Sequence, residues 1–280
     1  MSILRHALIA LFGILTALGT QAQEGTLPFD RIAVINDSVV AEGYRLYHYD
    51  KLNWVGSDTY GAQCTHKRAT VSLVQQLSDT ALAAIYVDAA RQQCVFEFRM
   101  STGNVVEAID QVRPLSADEA RQLKHHLRLL DSINAHSDSL TALDRRIGRL
   151  NMNIVPLPSP AGITRVYFTQ GTTLQGVIPF GNDCSMDFDA QCRLVGFSRY
   201  HPGFVPIDFS SAKKGSVHKT THPHFEANPY VSPTDVATFL LYGRDGYGMH
   251  TFSVYSRPLG CYFTFDSRLG RILLINDGGR

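Results

Sequence analysis

Glutamate all but disappears from the second half of this chain: it occurs five times between residues 24 and 119 and once afterwards, at Glu226. The two halves therefore differ in composition. No Cys-x-x-Cys occurs, which argues against a thioredoxin-type redox pair and a thiolate zinc site. No Gly-x-Ser-x-Gly elbow and no phosphate loop occur, so neither a serine hydrolase nor a nucleotide-binding protein has support. Neither sign of charge dominates. The 26 Lys and Arg against 25 Asp and Glu leave a formal net charge of +1, which gives no footing for nucleic acid or an acidic membrane surface. After the first 22 residues no run is apolar enough to cross a bilayer, so the mature chain is expected to have no membrane span.

Those first residues read as a signal peptide over 1–22. Arg5 and His6 form a short basic start, ALIALFGILTALG an apolar middle, and Thr20-Gln21-Ala22 a small-residue cleavage site. The apolar middle is too short for a comfortable span of about 20 residues. An exported protein, periplasmic or secreted, is expected. The mature chain of about 258 residues has room for one large or two modest domains. Export permits disulfides, and the odd set Cys64, Cys94, Cys184, Cys192 and Cys261 leaves at least one thiol unpaired. Cys64 and Cys94 are candidate partners; the rest of the connectivity stays open.

The spacing of apolar residues predicts an α+β chain. A helix capped by Asp37 or Ser38 should run through the fifties. Residues 67–92 are Ala-rich and read as helical. CVFEFRM at 94–100 reads as a strand, with VVEAIDQV as its hairpin partner or a short helix. Ser116 with Glu119 forms a capping box for a long polar helix to about 147, on which His125, His126 and His136 are expected to be exposed. The N-terminal region, 23–157, is thus expected to be mainly helical with a short hairpin, its role unassigned. Three prolines within 151–163 suggest a linker, with a boundary near 158. From 158 to 280 the pattern gives short strands, a loop with histidines, a helix opening at SPTD, and three closing strands.

The densest chemistry lies in HKTTHPHFEANPYVSPTD, residues 218–235. On an extended strand His222 and His224 point to one face, so both imidazoles could reach one ion. Asp235 follows in the first turn of a helix that Ser232 would cap and Pro233 would open. Two imidazoles and a carboxylate make a zinc set with a fourth position left for water. His218 is an alternative ligand. So is His201, in a second His-Pro, if its loop folds back; otherwise Pro202-Gly203 sets an ordinary surface turn. A His-rich loop that binds nothing, followed by a plain helix start, also accounts for these residues.

The order His-x-His, a position usually proline, six residues, then Ser-x-x-Asp resembles the ligand motif of the JAMM (MPN-type) metalloproteases. Phe225 stands where that family has proline, and the resemblance covers residues 165–275 at most. It implies a JAMM-like α+β domain with a mixed sheet and helices, Zn2+ held by His222, His224 and Asp235, and a peptide or protein substrate. It also implies a glutamate on an early strand, where this chain has Gln170 or Gln175, amides that cannot accept a proton. Glu226 is the substitute carboxylate within the ligand loop, Asp183, Asp187 and Asp208 are more distant ones, and Ser232 would support the site by hydrogen bonding. Three functions follow: a zinc-dependent amide hydrolase, a non-catalytic JAMM-like module for binding or assembly, or an unrelated exported protein with no metal site.

Overall fold

The structure, a computed structural model, describes residues 29–66, 68–101, 104–136, 152–159, 161–210 and 219–276. The leader expected over 1–22, the helix expected beyond 136, and His218 lie outside the described residues.

A 35-residue helix, α1 (Phe29–Gln63), opens the described chain. Asp37 and Ser38, read as caps, sit inside it. Its apolar residues are mixed in period because it serves two cores. Val39, Val40, Leu46, Tyr47 and Tyr49 enter one, and Leu52 enters another.

The expected helix over 67–92 is instead two strands, and the N-terminal region holds a five-stranded sheet between its two helices rather than a short hairpin. β1 (Ala69–Gln76), β2 (Ala81–Asp88), β3 (Gln93–Ser101) and β4 (Asn104–Ile109) form an antiparallel meander, and β5 (Arg113–Pro114) adds to β3. The misreading has a physical cause. Ala84 and Tyr86 of β2 pack towards Leu52 of α1, while Ile85 and Val87 pack with Leu123 on the other side. A strand covered on both faces loses the polar-apolar alternation that identifies a strand. Leu123 belongs to α2 (Ala117–Ala135), whose N-terminus is the expected capping box: Ser116 Oγ accepts from Glu119 N, and Glu119 Oε2 accepts from Ser116 N. His125, His126 and His136 on or just after this helix are half-buried, not exposed.

Residues 151–163 hold β6 (Met152–Pro158), paired antiparallel along its length with β7 (Thr164–Gln170), so position 158 falls at the turn of a hairpin. Pro156 and Pro158 are tolerated because β6 is the edge strand of its sheet. That sheet runs β10 (Leu194–Arg199), β9 (Cys184–Phe188), β7, β6; β8 (Val177–Gly181) pairs separately with β11 (Phe204–Asp208). The last sheet runs β12 (Lys219–His224), β13 (Thr251–Ser256), β14 (Cys261–Asp266), β15 (Arg271–Asn276). It is mixed: β12 lies parallel to β13, and the other pairs are antiparallel. A parallel pair needs a crossover. Here it is α3 (Pro233–Thr238) running into a π-helical segment, Phe239–Asp245.

α1 packs across this crossover, and Gly43 sets their approach, since a Cβ there would lie 2.6 Å from Val236 Cβ. Farther along, Tyr44 Oη donates to Ser267 O at 3.3 Å and its ring meets Phe265 edge-on. The first helix and the last sheet thus share one core. All five cysteines are free thiols; Cys64 and Cys94 do not pair, Cys64 Sγ instead facing Val95 O and Cys94 Sγ facing Phe96 O. Among the described residues no helix is long and apolar enough to cross a membrane.

Two outcomes test this packing. In a helix interior Gly→Ala is ordinarily stabilising by about 1 kcal/mol, but Gly43→Ala drives a methyl into Val236 and is expected to cost about 1–3 kcal/mol, read as a lower Tm. Asp50 of α1 is 5% exposed, and its two carboxylate oxygens each accept only from Asn153 Nδ2, at 3.2 Å. Burial pushes its pKa up from 3.8 to about 6, with Asn153 opposing. The folded state therefore holds this proton more tightly than the unfolded one, and stability is lost as pH rises from about 4 through about 6. Asp50→Asn removes that loss. By denaturant unfolding the variant should gain up to about 3 kcal/mol over the parent at pH 8, and little at pH 4.

Candidate metal centre

Thr220, His222 and His224 form the buried face of β12, while Thr221 and Pro223 point outward. The strand's two-residue period thus delivers both imidazoles inward from the carboxyl end of an edge strand. The crossover then brings the opening turn of α3 back over that end. Ser232 Oγ accepts from Asp235 N at 3.1 Å, and both Ser232 N and Ser232 Oγ donate to Asp235 Oδ2 at 2.8 Å. The Ser-x-x-Asp segment is therefore a capping box. Because the cap occupies Oδ2, the other oxygen is fixed in direction, and it faces the rings. His222 Nε2 lies 3.1 Å from Asp235 Oδ1, and His224 Nε2 lies 3.4 Å from Asp235 Oδ2.

His201 completes the group. The turn expected at Pro202-Gly203 does not lie on the surface at this residue: His201 is 3% exposed, with Nε2 2.8 Å from His224 Nε2 and 3.4 Å from Asp235 Oδ1. Two connections are laced together to hold it there. Asn182 N donates to Gly203 O at 2.8 Å, and Tyr200 N donates to Asp183 O at 3.1 Å. The strands approach so closely that a Cβ at Gly181, where φ is +82°, would lie 2.3 Å from Gly203 O, so this position requires glycine. Asp183 Oδ1 then accepts from both His201 N at 3.1 Å and His201 Nδ1 at 2.7 Å.

The outer nitrogens settle what the inner ones offer. His224 Nδ1 donates to Tyr230 O at 2.7 Å, and His201 Nδ1 donates to Asp183. In neutral rings this puts both Nε2 lone pairs face to face, together with the Nε2 of His222 at 3.2 Å from that of His224. Lone pairs at such separations repel unless a proton or a cation sits among them. Asp235 Oδ1, buried in the same space, accepts no hydrogen bond. A buried acceptor without a partner is costly, and here it is aimed at the meeting point of three imidazoles. One ligand atom from each of His201, His222, His224 and Asp235 lies within 4.8 Å of all the others, and the four could hold a metal ion.

Without a metal, protons are shared unevenly. Burial would lower His201, but the Asp183 and Asp235 carboxylates beside it outweigh that and hold it up at about 9. Burial pulls His224 down to about 4, reinforced by the neighbouring His201 and His222, while Asp235 opposes. Burial would raise Asp235, but the three rings hold it far below the usual carboxylate range. One face of His222 is apolar, with the Phe180 ring 4.6 Å away and Phe252 stacked at 6.3 Å. His222 Nδ1 has no hydrogen-bond partner.

The other candidates fall outside this group. Glu226 is exposed in the turn after β12, where the chain folds back through Asn228 N to Phe225 O, and it is not among the four clustered side chains. Ser232 is consumed by the helix cap. Asp187 is tied to Arg165 at 2.7 Å, and Asp208 caps its own turn through Ser210. Gln170 is buried, Gln175 is exposed, and neither contributes to the cluster. Asp183 as the support of His201 was not legible in the sequence. The second His-Pro was the only signal pointing to that loop.

No protein-family model matches the chain, and no characterised protein or solved structure matches it either. The JAMM resemblance therefore rests on the ligand motif alone.

Proposed function

We propose that this is an exported metal-binding protein in which His201, His222, His224 and Asp235 hold Zn2+ as a structural cross-link, the site resembling a JAMM-type centre that no longer hydrolyses amides. The presence of the fourth donor, His201, carries this reading. A catalytic zinc keeps three protein ligands and an open position for water, whereas a structural zinc is closed by four. His201 stands where the water would be, and the four residues are between 1% and 3% exposed.

The donor set suits the ion. Ligand atoms about 2.0–2.1 Å from a tetrahedral zinc lie about 3.3–3.4 Å from one another; five of the separations here, taken to one or the other oxygen of Asp235, run from 2.8 to 3.4 Å, and all four ligand atoms lie within 4.8 Å of one another. The Asp183–His201 pair supplies the carboxylate that usually orients a ligating histidine. Charge also balances. With neutral imidazoles, Asp183 and Asp235 offset a divalent cation, so burying the ion leaves no net charge behind. Asp183, the carboxylate beside the cluster, is engaged by His201 N and Nδ1, which supports a binding or assembly role over a peptidase.

Purified protein is expected to carry one zinc per chain by elemental analysis. Chelation should lower stability by on the order of 4 kcal/mol when free zinc had stood 1,000-fold above its Kd, or by roughly 10 °C in Tm for a protein of this size. His224→Ala and Asp235→Ala should abolish zinc retention, and His201→Ala should weaken it by at least tenfold. Glu226→Gln should change neither zinc content nor Tm. Protein that holds no zinc before or after reconstitution would overturn the metal reading. Peptidase activity lost in Asp235→Ala would overturn the structural one in favour of a hydrolase.

A further inference from the structure

A second site lies away from the metal cluster. A cleft of about 1420 Å³ opens between α1, β1, α2, β6 and the crossover, and none of the four candidate ligands lines it. Its walls include Tyr49, Trp54, Tyr242 and Tyr247, with Trp54 stacked on Tyr242 at 6.2 Å. Trp54 is 51% exposed. A half-exposed large aromatic stacked on a second ring makes a wall for an apolar or cationic guest.

Its polar content is unbalanced. Asp50 is the only carboxylate among the described lining residues, and it is 5% exposed. Its two oxygens have four acceptor sites between them but receive only the Asn153 amide. The other charged lining residue, Arg121, is tied to Asp118 at the exposed rim. Of the two lining histidines, His126 is held in its neutral form by burial, its pKa lowered from 6.5. A buried carboxylate with unused acceptor sites beside aromatic rings calls for a cationic N–H donor.

We propose that this cleft binds an organic amine with an apolar tail, its ammonium group on Asp50 and its tail against Trp54 and Tyr242. A fully ionised partner satisfies the acceptor sites that Asn153 leaves open, and the aromatic pair covers the hydrocarbon. The proposal is independent of the metal reading, since the two sites share no residue.

Trp54 is the sole tryptophan of the chain, so its emission reports on the cleft directly. The probe is 4-phenylbutylamine, compared with 4-phenylbutanol and 4-phenylbutyrate, on the full purified protein. The amine is expected to change Trp54 emission saturably and to bind at least tenfold more tightly than the alcohol, with the carboxylate weakest. Asp50→Asn should bring amine and alcohol to within about twofold of each other while leaving zinc content unchanged. Equal affinity of amine and alcohol, no saturable change with the amine, or an amine preference that survives Asp50→Asn would each overturn the proposal. If that variant fails to fold, the comparison of the three probes on the parent protein still decides it.

Discussion

The carboxylate of Asp235 has two duties, and the second half of the molecule is arranged around that division. One oxygen closes the capping box with Ser232; the other is turned, without a hydrogen bond, onto the imidazoles. A carboxylate free to rotate could meet both demands only some of the time. Fixed by the helix cap, it is already in position before anything binds, so less ordering entropy is lost when an ion arrives. The same economy appears at His201 and His224, whose outer nitrogens are held by Asp183 and by the Tyr230 carbonyl.

Topology makes this meeting possible. Only the parallel pairing of β12 with β13 forces the chain over the sheet in a crossover, and a crossover of this kind puts a helix N-terminus at the carboxyl end of the preceding strand. An antiparallel hairpin at that point would have carried Asp235 away from His222 and His224. α1 then clamps the crossover from the far side, close enough that Gly43 has no room for a methyl group. The helix that begins the described chain therefore supports a site made by residues that come much later.

How much of this could be read in the residues depended on distance along the chain. The two histidines of β12 follow from a strand's period of two, and the helix start at Ser232 follows from its cap, because both are local. The capping box at Ser116 and the strands β13, β14 and β15 were legible for the same reason. β1 and β2 were not: their two covered faces erase alternation, and Ala81, Ala83 and Ala84 imitate a helix. His201 was legible only as an alternative ligand conditional on its loop folding back, and Asp183 was not legible as its support, since two loops separated by a hairpin must cross before either side chain has a role. Cysteine spacing misled because Cys64 and Cys94, near in sequence, turn to different backbone carbonyls.

The contact between Tyr44 and Ser267 spans 223 residues, and the core it belongs to mixes the first helix with the final three strands. Such a molecule has high contact order, and loop closure of that length must come before its rewards. Leu52 can pack on β2 and β3 early in synthesis, but the Val39, Val40 and Leu46 face of the same helix waits for the late strands. That part of its apolar surface is left uncovered through most of the chain's emergence, an interval in which aggregation competes with folding. Chain completion, rather than local helix formation, thus sets when this protein acquires its native core.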